Sequence, residues 1–191
     1  MTRPSVLVGA DGLARCAWVG TDPEYVRYHD EEWGVPLRDS RRLFEKICLE
    51  GFQAGLSWIT ILKRRPAFRE VFEGFDPVRV AAFTESDVDR LLADERIIRH
   101  RGKIEATISN ARATLSLSEP LTQLVWSFEP QSRGERPNRL EDIPAVTAES
   151  TALSKALRVR GFRFVGPTTM YALMQSAGVV DDHVTGCYRA E

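Results

Sequence analysis

Apolar residues recur along this chain at intervals of three and four, and no alternating run is long enough to make a half-buried strand. Leu43, Phe44, Ile47 and Cys48 share one helical face that carries Glu50 near its C-terminal end. Asp39 or Ser40 can cap this helix, which reaches about Gln53, and Gly55 then offers a stop. Ser57 supplies a side-chain oxygen to cap a second helix with Trp58, Ile61 and Leu62 among its apolar positions, continuing past a break near Pro66 toward Phe72. The pattern predicts helix, tight turn, helix, with Leu56 at the tip of the turn. Further helices are expected over 23–31, from Asp76-Pro77, over 85–93 behind a Thr84/Asp87 capping box, and over 103–117, where Ile104, Ile108, Ala111 and Leu115 line one face. Short or C-terminal helices follow over 120–128, 150–160 and 167–177, whereas 129–147, with Pro130, Gly134, Pro137 and Pro144, reads as a long surface loop. The class is all-α, with residues 1–15 as a flexible N-terminal extension ahead of one helical domain over 16–191.

With 191 residues, 43% of them hydrophobic and 28% charged, the composition is that of a globular protein able to form a core without disulfides. No apolar run approaches a membrane span, and residues 1–12 lack the basic start and apolar core of a signal peptide, so the expected compartment is the cytoplasm. Cys16, Cys48 and Cys187 make a poor disulfide framework and leave metal binding or plain burial. A net charge of −1 does not advertise a nucleic-acid binder. Positive charge gathers at 63–65, 96–103 and 155–163, and any one of these clusters alone reads as a solvated helix end.

Three constellations carry chemistry. In GFRFVG (161–166) a helix ends at Gly161 and restarts at Pro167 after Gly166, which leaves amides free to meet an anion, with Arg158, Arg160 and Arg163 close in sequence. This is the outline of a helix-hairpin-helix, a binder of DNA backbone; the alternative is an ordinary connection between antiparallel helices. Cys16 and His29 near one end, and His183 and Cys187 at i and i+4 near the other, have the donors for a closed tetrahedral structural zinc site that would staple the termini, against isolated side chains as the alternative. Trp18, Tyr28, Trp33 and Trp58 are core or pocket. Glu50 tips that balance, because a carboxylate in an apolar segment is costly to bury unless it meets a partner, and rings with one acceptor suit a flat cationic heterocycle.

The runs CAWVGTDPEYVRYHDEEWGVP, LFEKICLEGFQAGLSWITILKRR, IIRHRGKIEATISNAR, ALSKALRVRGFRFVG and DDHVTGC follow one another in an order that resembles the bacterial DNA-3-methyladenine glycosylase I family, from Cys16 to Cys187. The resemblance implies a monofunctional helix-hairpin-helix glycosylase that flips 3-methyladenine out of alkylated double-stranded DNA and hydrolyses its N-glycosidic bond, without lyase activity. It places Cys16, His29, His183 and Cys187 on one structural zinc ion. Glu50, Tyr28 and Trp58 fall where the family holds the flipped base, with Trp18 and Trp33 lining or supporting the pocket. Leu56 would enter the gap in the duplex, and Gly161, Arg163 and Gly166 would meet phosphates. Glu50 is expected to be essential, and Asp181 falls where the wider superfamily places an aspartate that assists water or the sugar cation. The chain departs from the family pattern at Phe52, where a polar residue is expected. Free 3-methyladenine is the expected product, the protein is expected to be a monomer, and no membrane partner is implied. The competing class is a non-catalytic zinc-stabilised DNA-binding or nucleobase-sensing module, from which base release would distinguish it.

Overall fold

The computed structural model describes residues 4–132 and 134–190. Among these the α-helices are α1 (Pro23–Glu31), α2 (Ser40–Gln53), α3 (Trp58–Val71), α4 (Pro77–Ala81), α5 (Glu85–Ala93), α6 (Arg101–Leu115), α7 (Leu121–Trp126), α8 (Ala148–Val159) and α9 (Pro167–Ser176), with short 3-10 turns at Ala17–Val19, Glu73–Phe75 and Leu140–Asp142. The helical class follows the periodicity. Helix starts fall on side-chain caps: Asp22, Asp39 and Asp76 accept from the amides of Glu24, Arg42 and Val78 at 3.0, 2.8 and 2.9 Å.

Four expectations change. The N-terminal stretch expected to be a loose extension instead carries two strands, β1 (Val6–Val8) and β2 (Ala14–Cys16), paired antiparallel with Val6 opposite Cys16. Three-residue strands are too short for alternation to announce them. Helix α3 runs through Pro66 without the expected break, because packing of Leu62 and Phe68 on either side outweighs one missing amide. Ser57 occupies the cap position of α3 but its hydroxyl pairs with Thr60 Oγ1 at 2.7 Å rather than with the backbone. The segment after Asp181 turns rather than making the helical turn that the i, i+4 spacing of His183 and Cys187 suggested.

Helix α2 is central. It packs against α3, α6, α7 and α9, and every residue from Leu43 to Phe52 is buried, polar ones included. The single apolar face read from the sequence understates this enclosure. Phe52 is part of it: the ring packs with Phe68 and Phe72 inside the main core. A second, smaller core joins the two ends of the chain, with Cys16, Val19, Tyr28, Trp33, Leu62, Val184 and Cys187 buried together. Trp58 packs against both cores and marks their seam.

The end of α9 is strapped to the segment after α1, with Gly34 and Leu37 amides donating to Gln175 and Ala177 carbonyls at 3.1 and 2.9 Å. Gly178 closes that strap at φ +69°, and a Cβ there would lie 2.5 Å from the Val35 carbonyl carbon. Both the left-handed backbone and the contact exclude a side chain. Gly178→Ala is expected to destabilise the fold by about 2 kcal/mol or more, read as a lowered midpoint in urea unfolding followed by tryptophan fluorescence.

Candidate active site

The seam between the two cores opens as a cavity of about 300 Å³ lined by Trp18, Tyr25, Tyr28, Trp33, Glu50, Gln53, Trp58, Ile143, Ala172, Gln175, Ser176. Each wall comes from a different element. Helix α1 turns Tyr28 inward, the last turn of α2 delivers Glu50, the first residue of α3 is Trp58, and α9 closes the side with Gln175 and Ser176. The rings meet at angles, Tyr28 against Trp58 at 5.5 Å and 51°, Trp18 against Trp33 at 5.2 Å and 68°, so edges support faces and leave a slot between them. The four aromatics named from the sequence thus converge with Glu50 on one pocket.

Glu50 is only 4% exposed. Burial pushes its carboxyl up to about 7, with the charge of Lys46 one helical turn earlier and the Ser176 hydroxyl pulling the other way. Burial, followed by the charge of Glu50, likewise raises the Tyr28 phenol well above its usual range, so it stays a neutral hydroxyl. Lys46 lies behind this wall with Nζ 5.3 Å from the Tyr28 ring centroid. The buried indole N–H of Trp58 has no hydrogen-bond partner among the described residues. An unpaired buried donor and a carboxylate at the edge of ionisation both ask for a polar, flat guest.

Beside the pocket mouth, residues 53–56 form a type II turn. Ala54 has φ −49° and ψ 114°, Gly55 has φ +83°, and the Leu56 amide donates to the Gln53 carbonyl at 2.7 Å. The Gln53 side-chain amide donates back to the Leu56 carbonyl at 2.7 Å. Lys103, on α6, donates to the carbonyls of Phe52 and Ala54 at 2.9 and 2.6 Å and so caps the end of α2. Leu56 is left 38% exposed at the tip.

On the far side of the second core, donor atoms of Cys16, His29 and Cys187 lie within 4.8 Å of one another, all three buried. His183, the fourth residue of the predicted set, is near rather than within that group. Its ring centroid is 5.1 Å from that of His29, and its Nε2 is buried without a partner among the described residues. Both imidazoles are oriented alike. His29 Nδ1 pairs with Asp30 Oδ1 at 2.8 Å and His183 Nδ1 with Asp181 Oδ1 at 2.7 Å, which leaves each Nε2 for the interior. The Cys16 thiol and, after burial, the His29 ring act on Cys187, and the hydrogen bonds win, so its thiol is held down at about 4. Cys16, His29 and Cys187 are gathered closely enough to share one metal ion, and the donor types of the four residues together are those of a tetrahedral divalent site.

Asp181 does not join the pocket. It is committed to His183 and to Arg136, which donates at 3.0 Å, and these partners hold its carboxyl far below the usual range against the effect of burial. A residue expected at the reacting centre therefore stands behind a histidine. The loop 129–147 is also more than surface: it supplies Arg136 to this corner and Ile143 to the pocket wall. Sequence reading missed those two residues, along with Asp30, Gln53, Gln175 and Ser176, because none stands out by type or spacing.

Of the three basic clusters, two have most of their charges paired within the fold. Lys63 and Arg65 pair with Asp22 and Glu32, Arg96 with Asp94 and Glu70, and Arg101 with Glu85 and Asp89. In the third, Lys155, Arg158 and Arg163 have no ion pair among the described residues, and all three are exposed. Arg158 and Arg163 flank Gly161 in the connection between α8 and α9.

A helical protein enclosing an acid-floored aromatic slot, beside a glycine turn and an unneutralised basic connection, has the build of a base-reading DNA enzyme. Residues 18–190 match the model of the methyladenine glycosylase family. The chain is 56% identical to the DNA-3-methyladenine glycosylase 1 of Escherichia coli, over 92% of this chain and 96% of that protein, and 50% identical to the DNA-3-methyladenine glycosylase of Haemophilus influenzae, over 91% and 96%. A crystal structure of 3-methyladenine DNA glycosylase I superposes with a TM-score of 0.88 at 56% identity, covering 91% of this chain and 98% of the other. The Staphylococcus aureus enzyme, whose structure concerns 3-methyladenine recognition, gives 0.88 at 37% identity over 93% and 96%. The chain belongs to the methyladenine glycosylase family.

The raised carboxyl of Glu50 has a consequence for stability. The folded protein holds its proton more tightly than the unfolded chain does, so this group's contribution to stability declines as pH rises from its ordinary 4.5 through about 7. Glu50→Gln removes the decline. Above about pH 7 the variant should be the more stable by on the order of 1–3 kcal/mol, and at about pH 4 and below the two should converge; urea unfolding at the two pH values checks it.

Proposed function

We propose that this protein is a base-excision repair DNA glycosylase that flips 3-methyladenine from alkylated double-stranded DNA and hydrolyses its N-glycosidic bond. The observation that carries the reading is the nearly dry carboxylate of Glu50 among rings, in a chain of this family. Extruding a nucleotide costs a few kcal/mol, and a methylated base that pairs poorly is the easiest to extrude. Leu56, on its capped turn, fills the vacated space. N3-methylation makes the adenine cationic, and Tyr28 and Trp58 offer ring faces worth roughly 2 kcal/mol to a desolvated cation. Trp18 and Trp33 brace those rings. Glu50 accepts from the exocyclic amine and complements the ring's charge, and the indole N–H of Trp58 is available to a ring nitrogen.

Hydrolysis then adds water to the sugar carbon as the base departs with the electrons of the glycosidic bond. The methylated base is already a good leaving group, so the pocket acts mainly by binding it more strongly as it leaves. The reading is of a monofunctional enzyme without lyase activity. The products are free 3-methyladenine and an abasic site. The connection between α8 and α9, with Gly161, Arg163 and Gly166, holds the DNA backbone as a helix-hairpin-helix does. One structural zinc on Cys16, His29, His183 and Cys187 staples the termini, and supplies no chemistry at the pocket. Among the described residues no helix is long and apolar enough to cross a membrane; a monomeric enzyme of the cytoplasm, acting on DNA there, is part of the proposal.

Purified protein should release 3-methyladenine from methylated duplex DNA, and Glu50→Gln should slow single-turnover release by about 100-fold; a protein that binds such DNA and releases nothing is the non-catalytic module instead. Fresh protein should hold about one equivalent of zinc, and a chelator should lower its unfolding temperature. Asp181→Asn should leave single-turnover release within about threefold while weakening zinc retention about 10- to 100-fold. A large loss of release with zinc retained would return Asp181 to the reaction.

A further inference from the structure

The connection between α8 and α9 holds a residue that neither the pocket nor the phosphate contacts use. Phe164 has φ +55° and is 38% exposed. Among the described residues it is the one aromatic among the exposed large hydrophobics, and the two other non-glycine residues in the left-handed region, Glu73 and Phe75, are accounted for by an ion pair to Arg79 and by full burial. A left-handed backbone is unfavourable for a residue with a Cβ, and the 38% of Phe164 left exposed keeps apolar ring surface in water. Both features persist because the surroundings impose them. Asn110, buried on α6, accepts from the Arg163 amide at 2.7 Å and donates to the Arg163 carbonyl at 3.1 Å. The buried Ser154 hydroxyl donates to the Val165 carbonyl at 2.6 Å. The backbone on either side of Phe164 is thus pinned, and the ring is presented outward.

Its position is equally constrained. The Phe164 Cβ rests against Gly51, where any side chain would meet it at 3.2 Å. Gly51 follows Glu50 and lies one helical turn before the glycine that carries the Leu56 turn. The His100 ring, at the start of α6, stands 6.3 Å away at 81°. Arg163, exposed and without an ion pair among the described residues, is the preceding residue, so the ring emerges next to a free cation and against the end of α2 that carries Glu50.

We propose that Phe164 is a second apolar contact to duplex DNA, packing on the sugar and base edges next to the gap that Leu56 fills. This rests on the glycosylase reading and extends it. A partly exposed aromatic ring on a pinned backbone beside a free arginine matches a polyanion whose groove floor is apolar, and apolar wedges at base steps are how proteins hold kinked DNA. The left-handed backbone turns a residue of a phosphate-binding connection into a groove contact.

The test compares Phe164→Gly with the unaltered protein and with Arg163→Ala. Glycine accepts the left-handed conformation, so the fold is kept. Phe164→Gly should weaken binding to a duplex with an abasic-site analogue about tenfold, leave the slope of log affinity against log salt unchanged, leave binding of free 3-methyladenine by tryptophan quenching unchanged, and not lower the unfolding temperature. Arg163→Ala should instead reduce the salt slope by about 1. Duplex affinity within about twofold of the unaltered protein overturns the proposal, as does a loss matched by an equal loss of free-base binding. If the unaltered protein releases no base, the glycosylase reading fails while the duplex comparison still decides the role of Phe164.

Discussion

From Leu43 to Phe52, α2 is shielded from water on every side, and a helix enclosed in this way forces a decision on each polar group it carries. Glu45 reaches Arg69 at 2.8 Å, and Lys46 lies along the Tyr28 ring. The carbonyls at its end, which an open helix would give to water, are taken by Lys103. Glu50 alone is turned into a cavity with its charge incompletely compensated. The pocket is therefore a consequence of burying α2: its acid is strained electrostatically by the same packing that stabilises the helix.

Rigidity around the pocket comes from joining the ends of the chain. The β1–β2 ribbon, α1 and the C-terminal segment share one small core, and two carboxylate–imidazole pairs, Asp30 with His29 and Asp181 with His183, set the ring orientations within it. Tyr28, Trp18 and Trp33 are all anchored to that core or its edge. Their slot keeps its shape only while the termini stay together. Asp181 serves that end, and its tie to Arg136 extends it to the long loop that also delivers Ile143.

The outward face is prepared by backbone rather than by side-chain bulk. A type II turn with Gly55 presents Leu56, and a connection pinned by Asn110 and Ser154 presents Arg163 and Phe164. Lys63, Arg65, Arg96 and Arg101 are neutralised by acids of the same surface. In 155–163, Lys155, Arg158 and Arg163 are exposed without an ion pair among the described residues, so a chain of net charge −1 can still offer DNA a locally basic face.

Local chemistry was legible in the sequence because it depends on near neighbours. The 3.6-residue periodicity announced the helices, Asp76 and the Asp39-Ser40 pair marked two of their starts, and Glu50, Leu56 and the Cys/His residues stood out by type. What depends on residues far apart in the chain was not. Two three-residue strands, the continuity of α3 across Pro66, and the burial of α2 on all faces are decided by packing. Whether Asp181 faces a pocket or a histidine, and whether a cluster of arginines is paired or free, turns on groups brought together from distant positions. Residue type and spacing determined which chemistry this protein possesses; only the tertiary structure decided which groups are dry, which are paired and which are left open, because desolvation and pairing are properties of an enclosed volume rather than of a stretch of chain.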